Sequence, residues 1–421
     1  MATDNNNKVL NVPNKREQSG IYFDYAERGV LRPQGNVPNL RFPEFGGEWE
    51  RDSLMNIASI SKGSGISKEQ LSDSGLPCIL YGELYTKYKS EVITDIYSKT
   101  DIETKGLVSS MANDVIIPCS GEAAIEIATA RCVPMSNILL GGDLNIIRLN
   151  GHDGRFFAYQ LNGKRKIDIA KVAQGVSVVH LYGEHLKKIN VVYPSFAEQN
   201  KIAQLLSLID ERIVTQNKII EDLKKLKVAI IEKVFSEKKC NYKIGDVISQ
   251  VSIRNKSKKE TNILSVSNKW GFVEQSEQFE DRIVASEDIT NYKVVRTNDF
   301  AYNPARINVG SIARLKRYES GIVSPMYICF HSQNALLPEY LELFFYTLYF
   351  KHEMYKRLEG SVRLCLSFEG LTNIPIFIPE ITTQREISIK VNSIETKIGI
   401  EETYLNALKD QKQYLLKHMF I

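Results

Sequence analysis

The chain has 421 residues, 43% of them hydrophobic and 25% charged, enough to bury a core and better suited to two or three domains than to one. No charge-free apolar run of about 18 residues occurs, since the richest stretch, Leu336 to Phe350, carries Glu339 and Glu342; the polar start, Met1 to Lys8, lacks the apolar segment of a secretory signal, and a cytoplasmic protein is expected. Six scattered cysteines (Cys78, Cys119, Cys132, Cys240, Cys329, Cys365) give neither a Cys-x-x-Cys pair nor a disulfide framework, His180 and His185 have no partners that would complete a metal site, and a net charge of +4 is too mild to demand or exclude a nucleic-acid partner.

In chain order, the first half opens with a mixed region of short strands and loops. Tyr81, Tyr85, Lys87, Tyr88 and Lys89 interleave aromatic with basic residues. Asp114-Val-Ile-Ile-Pro118, Asn145-Ile-Ile-Arg-Leu149 and Ile189-Asn-Val-Val-Tyr193 are short, rich in β-branched residues and bounded by turn formers, and read as strands. Arg131 is expected in a loop, and Lys164-Arg165-Lys166 follows a glycine. A long helix follows Pro194. From Ile202, apolar residues recur at steps of four and three (Ile202, Leu206, Ile209, Ile213, Ile220, Leu223, Ile230, Val234), with Gln216 and Lys227 in the two remaining positions of a heptad seam.

The second half begins with the basic run Arg254, Lys256, Lys258, Lys259. Tyr302-Asn-Pro-Ala-Arg306-Ile-Asn308-Val-Gly310 leads to Arg314, Lys316 and Arg317, with Arg306 and Asn308 between a proline and a glycine where a loop could present them. Met326-Tyr-Ile-Cys-Phe330 and Ile374-Pro-Ile-Phe-Ile378 read as strands, and Pro338-Glu-Tyr-Leu-Glu-Leu-Phe-Phe as a helix with proline in its first turn. The last segment carries a second seam: Ile387, Val391, Ile394, Ile398, Leu405, Leu408, Leu415 and Met419, interrupted by Glu401 and Lys412.

The two halves are copies. Gly175 to Phe235 falls on Gly360 to Phe420 without a gap, an offset of 185 residues that carries Leu181, Glu184, Leu186, Pro194, Gln199, Ile202 and Phe235 onto Leu366, Glu369, Leu371, Pro379, Gln384, Ile387 and Phe420. The same offset takes Asn113-Asp114 to Asn298-Asp299, and the polar seam residues Gln216 and Lys227 to Glu401 and Lys412. Two copies with so long a period make a doubled domain, not a solenoid. Each helix, at about 40 residues and roughly 60 Å, is too long for one small domain to cover. The expected fold is therefore α+β: two β-rich domains separated and joined by two long helices packed as an antiparallel coiled coil, with an internal pseudo-two-fold repeat. The competing arrangement leaves the helices on separate cores or zips them to another protein.

Two similar halves related by a two-fold axis suit duplex DNA, which has the same approximate symmetry. The residues singled out for DNA contact are Tyr85, Lys87, Lys89, Arg131, Lys164 and Arg165 in the first copy, and Arg254, Lys256, Tyr302, Arg306, Asn308 and Arg314 in the second. For any one of them a solvated surface charge is the commoner role.

In this pattern the chain resembles the specificity subunits of type I restriction-modification systems. The likeness rests on Asn36-Val-Pro-Asn-Leu-Arg-Phe-Pro-Glu-Phe-Gly-Gly-Glu-Trp49, on Tyr193-Pro194 leading through Glu198-Gln199 into the first long helix with Ile378-Pro379 and Gln384-Arg385-Glu386 as its copy, and on Asn298-Asp299-Phe300 through Ser324-Pro325-Met326-Tyr327. Each motif is weak alone; together, in order and doubled, they are strong. The resemblance implies target recognition domains at 39–195 and 240–379, a central helix at 196–239 and a C-terminal helix at 380–421; the leading segment, Met1 to Gly35 with a second Asn11-Val-Pro-Asn14, departs from the family pattern and makes 1–38 an N-terminal extension. It implies a non-catalytic subunit that reads a split target in double-stranded DNA, docks two methyltransferase subunits and is joined by restriction subunits, with no membrane partner. S-adenosylmethionine would belong to the methyltransferase subunits, ATP and magnesium to the restriction subunits, and no cofactor to this chain.

Two other classes compete. A self-contained restriction and methyltransferase enzyme would need an Asn/Asp-Pro-Pro-aromatic loop or a phosphate loop; Asn303-Pro304-Ala305-Arg306 lacks the second proline and the aromatic, and Gly63-Ser-Gly65 reads as a turn. A coiled-coil scaffold that binds only protein would leave two divergent globular domains without a task.

Overall fold

The computed structural model describes residues 35–236, 239–275, 288–333, 335–361 and 363–421; residues 1–34 of the N-terminal extension, with Asn11-Val-Pro-Asn14, lie outside the described residues. The chain divides into two units, one formed by the residues up to Ile213 with Ala407–Ile421, the other by Val214–Asn406.

In the first unit a four-stranded antiparallel sheet runs in the order Ala58–Lys62, Leu144–Leu149, Asp114–Pro118, Arg131–Val133. The second unit has the same sheet in the order Ile248–Val251, Ile328–Ser332, Phe300–Tyr302, Ile312–Arg314. Each unit adds a smaller sheet around one parallel pair: Leu76–Ile79 with Leu139–Leu140 in the first, Ile263–Ser267 with Ser320–Val323 in the second. A short antiparallel ribbon then leads towards each long helix, Glu50–Ser53 with Asn190–Tyr193 and Tyr242–Lys243 with Pro375–Ile376. Asp114–Pro118 is buried at every residue, which explains why it reads as an apolar run and not as an alternating strand.

The repeat extends to details no side-chain pattern reveals. Asn113 and Asn298 both have positive φ (80° and 73°), and the carboxylates of Asp114 and Asp299 each accept the N–H three residues back at 2.8 Å. Gly175 and Gly360 share φ of 119° and 115°, and a Cβ on either would collide with the carbonyl oxygen of Val178 or Arg363. Each glycine sits in the same miniature antiparallel bridge, Gln174 to His180 and Glu359 to Cys365. Only glycine takes that backbone without strain.

The long helices run from Phe196 to Ser236 and from Ile381 to His418. Every seam position named from the sequence is buried or half-buried. In the first unit Lys412 of the second helix meets Asp210 of the first at 2.6 Å; in the second unit Lys227 pairs with Glu395, the same two positions with the helices exchanged. Gln216 donates to its own repeat partner, Glu401, and Lys224 pairs with Glu402 at 2.6 Å. As residue numbers rise along one helix, partners fall along the other, so the pairing is antiparallel in both units. Lys412 also meets Glu91 at 2.5 Å; burial works against its charge, but Glu91 and Asp210 outweigh that and hold the ammonium above the ordinary lysine range.

Each helix is fastened to the globular part at both ends. Gln199 Oε1 accepts the Asp153 N–H at 3.0 Å while its Nε2 donates to the Pro194 carbonyl at 2.8 Å; Gln384 accepts the Leu337 N–H at 2.9 Å and donates to Pro379 at 2.8 Å. Both glutamines are 1% exposed or less, so the bonds satisfy backbone groups that water cannot reach. At the far ends, Phe420 packs on Phe156 at 5.1 Å, and Phe235 on Tyr340 and Phe344 at 5.0 and 5.3 Å. Phe420 is 2% exposed among the first unit's core residues, so Phe420→Ala should lower the stability of that unit by about 3–5 kcal/mol in equilibrium denaturation. A loss below about 1 kcal/mol would show that the helix end is not part of that core.

Candidate nucleic-acid interface

In the first unit, three of the predicted contact residues come together at one groove. The helix Gly154–Asn162 ends on Asn162, whose side-chain amide bonds both the N–H and the C=O of Ala130, at 2.8 and 2.7 Å. This ties the strand Arg131–Val133 to the turn that carries Lys164. A groove of about 430 Å³ results, with Lys89, Arg131, Lys164, Lys166 and, from the second long helix, Lys417 around it. Its one carboxylate, Glu91, is already engaged by Lys412. Partial burial, with Arg165 and Lys417 nearby, holds Lys164 below the ordinary lysine value. Crowded cations of this kind suit an anion that touches several of them at once.

Arg131 and the first-unit candidates away from the groove hold the fold. Arg131 is a correction in placement: it lies in a strand, not a loop, is 9% exposed, and donates to the carbonyls of Tyr88 and Ala130 at 3.0 to 3.3 Å. Its guanidinium lines the groove from beneath. Lys87 is clamped by Glu83 at 2.7 Å and Ser98 at 2.8 Å, and the Tyr85 hydroxyl donates to the Ser120 carbonyl at 3.1 Å. Arg165 donates to the carbonyl of the last residue, Ile421, at 3.2 Å and faces Asp168 at 3.5 Å. Lys89 and Lys164 remain exposed.

In the second unit Tyr302 is fully buried, with its hydroxyl donating to Leu366 at 3.3 Å, and cannot touch a ligand without unfolding its sheet. Arg314 is held by Glu342 at 3.0 Å, by Glu339 and by the Asn298 side chain at 2.8 Å. Arg306 is exposed, directly before the turn Ile307–Val309, while Asn308 beside it is half-buried. Arg306 borders a cleft of about 360 Å³ that Asn268 and Asn303 also line. These are the amide and guanidinium groups that pair with base edges. Arg254 bonds Asn291 at 2.8 Å at the start of a separate loop. Buried Asn255 closes that loop by bonding the backbone of Glu260 in both directions, leaving Lys256, Lys258 and Lys259 exposed.

Sequence reasoning missed Lys417 and the hairpin residues Asn268 to Trp270. Lys417 gives no local sign, because it reaches the groove only through the pairing of segments far apart in sequence. The hairpin was readable: Ser267-Asn-Lys-Trp-Gly271 sits between two short apolar runs with glycine where a three-residue turn needs it.

Comparison with known proteins gives this architecture a family. Residues 46–225 match the family model described as the type I restriction modification DNA specificity domain. The match spans the first copy with most of its long helix, and the rest of the chain repeats it. Among solved structures, the S subunit of a type I restriction-modification system from M. genitalium shares the fold at a TM-score of 0.59 and 16% identity, over 91% of this chain and 99% of that one. A structure described as the structural basis of complex assembly and conformational transition of the type I R-M system shares it at 0.53 and 14%, over 88% and 97%. No helix among the described residues is long and apolar enough to cross a membrane. Residues 46–225 thus carry a type I restriction modification DNA specificity domain, and the fold of the chain is shared with a solved type I S subunit over nearly its whole length.

Proposed function

We propose that each globular unit reads one half of a split duplex target and that the paired helices set the distance between the halves. The observation that carries this reading is the repetition itself: one sheet plan, one glutamine fastening and one lysine–carboxylate seam pair, each built twice. The backbone skeleton repeats while the surfaces diverge, as expected where the two copies carry different recognition tasks on one frame. Target recognition domains at 39–195 and 240–379 follow from this reading.

Phosphate contact supplies affinity and base contact supplies choice. The cationic groove with Lys89, Lys164 and Lys417 suits the first role, and the cleft of Arg306, Asn303 and Asn268 suits the second. Methyl transfer and cleavage belong to other chains in this reading. Two methyltransferase subunits carry S-adenosylmethionine, and restriction subunits carry ATP and magnesium. The outward residues of the long helices support docking of such subunits: Leu208, Val214, Leu226, Val228, Ile389 and Ile400 are all about half exposed or more on elements whose seam is already filled. The relative solved for its complex assembly is consistent with that use. The site of action is the cytoplasm.

Lys164→Gln with Lys417→Gln should weaken DNA binding about equally for all sequences and reduce the slope of log affinity against log salt by roughly one per lost phosphate contact. An unchanged slope would remove the groove from the DNA path. Exchange of residues 39–195 for those of another family member should change one half of the motif selected from random-sequence DNA and leave the other half intact; loss of both halves would contradict modular reading. Insertion of seven residues into the first long helix should change the tolerated gap between half-sites or abolish binding, and an unchanged gap would contradict the spacer role.

A further inference from the structure

The chain has two tryptophans, and the fold treats them oppositely. Trp49 is 2% exposed and sits edge-on to Phe156 at 5.7 Å; Trp270 is 70% exposed. A lone exposed apolar residue is ordinary and decides nothing. The surroundings of Trp270 decide more.

Its delivery is rigid. Trp270 ends the turn Asn268-Lys269-Trp270 between the antiparallel strands Ile263–Ser267 and Gly271–Glu274, with Ser267 opposite Gly271 in register. The Ser267 hydroxyl oxygen accepts the N–H of Lys269 at 3.2 Å and of Trp270 at 3.3 Å, and Gly271 takes the left-handed φ of +68° from which the strand resumes. The hairpin lies close over the strand Ile312–Arg314, since a Cβ on Gly271 would stand 3.5 Å from that of Ala313. The backbone that carries the ring is therefore already ordered before anything packs on it.

Its neighbours are cationic and polar. Lys269 Nζ lies 4.6 Å from the indole centroid, so ring and charge form a single tip. Trp270 and Lys269 line a cleft of about 840 Å³ with Lys316 and Lys351; its carboxylates Glu342 and Glu395 are engaged, Glu342 by Lys316 at 2.8 Å and by Arg314, Glu395 by Lys227. Asn268 lines that cleft and also the one that holds Asn303 and Arg306. The tip thus adjoins groups suited to phosphates and, through Asn268, groups suited to base edges. An aromatic side chain flanked in this way matches duplex DNA, where an apolar group can wedge at a base step while neighbouring cations meet the flanking phosphates.

We propose that Trp270 is a DNA-contacting residue of the second unit, its indole packing against bases of the half-site that this unit reads while Lys269 meets the adjacent phosphate. The proposal rests on the reading of the chain as a DNA specificity subunit and names one residue through which the second unit recognises its half-site. Wild type, W270A and W270F, each assembled with the methyltransferase partner subunits, would be taken through selection from random-sequence duplex DNA and titrated with the duplex that wild type recovers. The difference in tryptophan emission between wild type and W270F isolates the Trp270 signal. That signal is expected to be quenched by the duplex. W270A should bind between about fivefold and about a hundredfold more weakly and relax the bases of one half-site only, with W270F in between. Equal thermal melting of the three chains confirms that the exposed substitution leaves the fold intact. Unchanged affinity, motif and emission overturn the proposal while DNA recognition stands. So does a Trp270 signal that shifts when the partner subunits bind and is then unmoved by DNA. A wild-type assembly that enriches no motif overturns DNA recognition itself, and this proposal with it.

Discussion

The structure depends on one constraint: two helices of about 40 residues, each with an apolar seam along its length, must hide that seam. They do so by pairing antiparallel, and the polar breaks in the seam meet across the pair. Gln216 faces Glu401, Lys227 faces Glu395, and Lys412 lies between Asp210 and Glu91. A buried ion pair adds little net stability compared with apolar packing of the same volume, because each charge is desolvated first. Its effect is on alternatives. A slip by one heptad would carry Lys412 away from both carboxylates and bury an unpaired ammonium, a far larger penalty than a mispacked leucine.

The globular parts follow from that frame. Gln199 and Gln384 tie the start of each helix to backbone groups of the adjoining domain, and Phe420 and Phe235 close the cores at the far ends. Positions that serve the frame therefore repeat down to the hydrogen bond, as with Asn113 and Asn298 or Gly175 and Gly360. Positions outside the frame are free to differ. Where Lys417 stands at the first unit's groove, its repeat partner in the second is Glu232, whose carboxylate accepts the Leu348 N–H at 2.8 Å. Lys164 has Tyr349 as its counterpart. Lys166, by contrast, falls on another lysine, Lys351, which lines a cleft of the second unit, so the cationic groove is only partly repeated. In the second copy the exposed cations gather around a hairpin and a loop instead.

The sequence by itself determined the doubling, the two long helices with the polar breaks in their seams, and the strand Asp114–Pro118, because each is written in local periodicity or in register between copies. It could not say which charged residues face a ligand. Arg131, Arg314, Lys87 and Tyr302 looked like surface groups, yet each has at least one partner 11 to 64 positions away in the chain. Tertiary structure alone decided that, and it alone brought Lys417 to the groove of Lys89 and Lys164. The physical reason is that a helix or a turn is specified by neighbours a few residues away, whereas the role of a charge depends on whether the fold supplies a counter-charge from elsewhere in the chain.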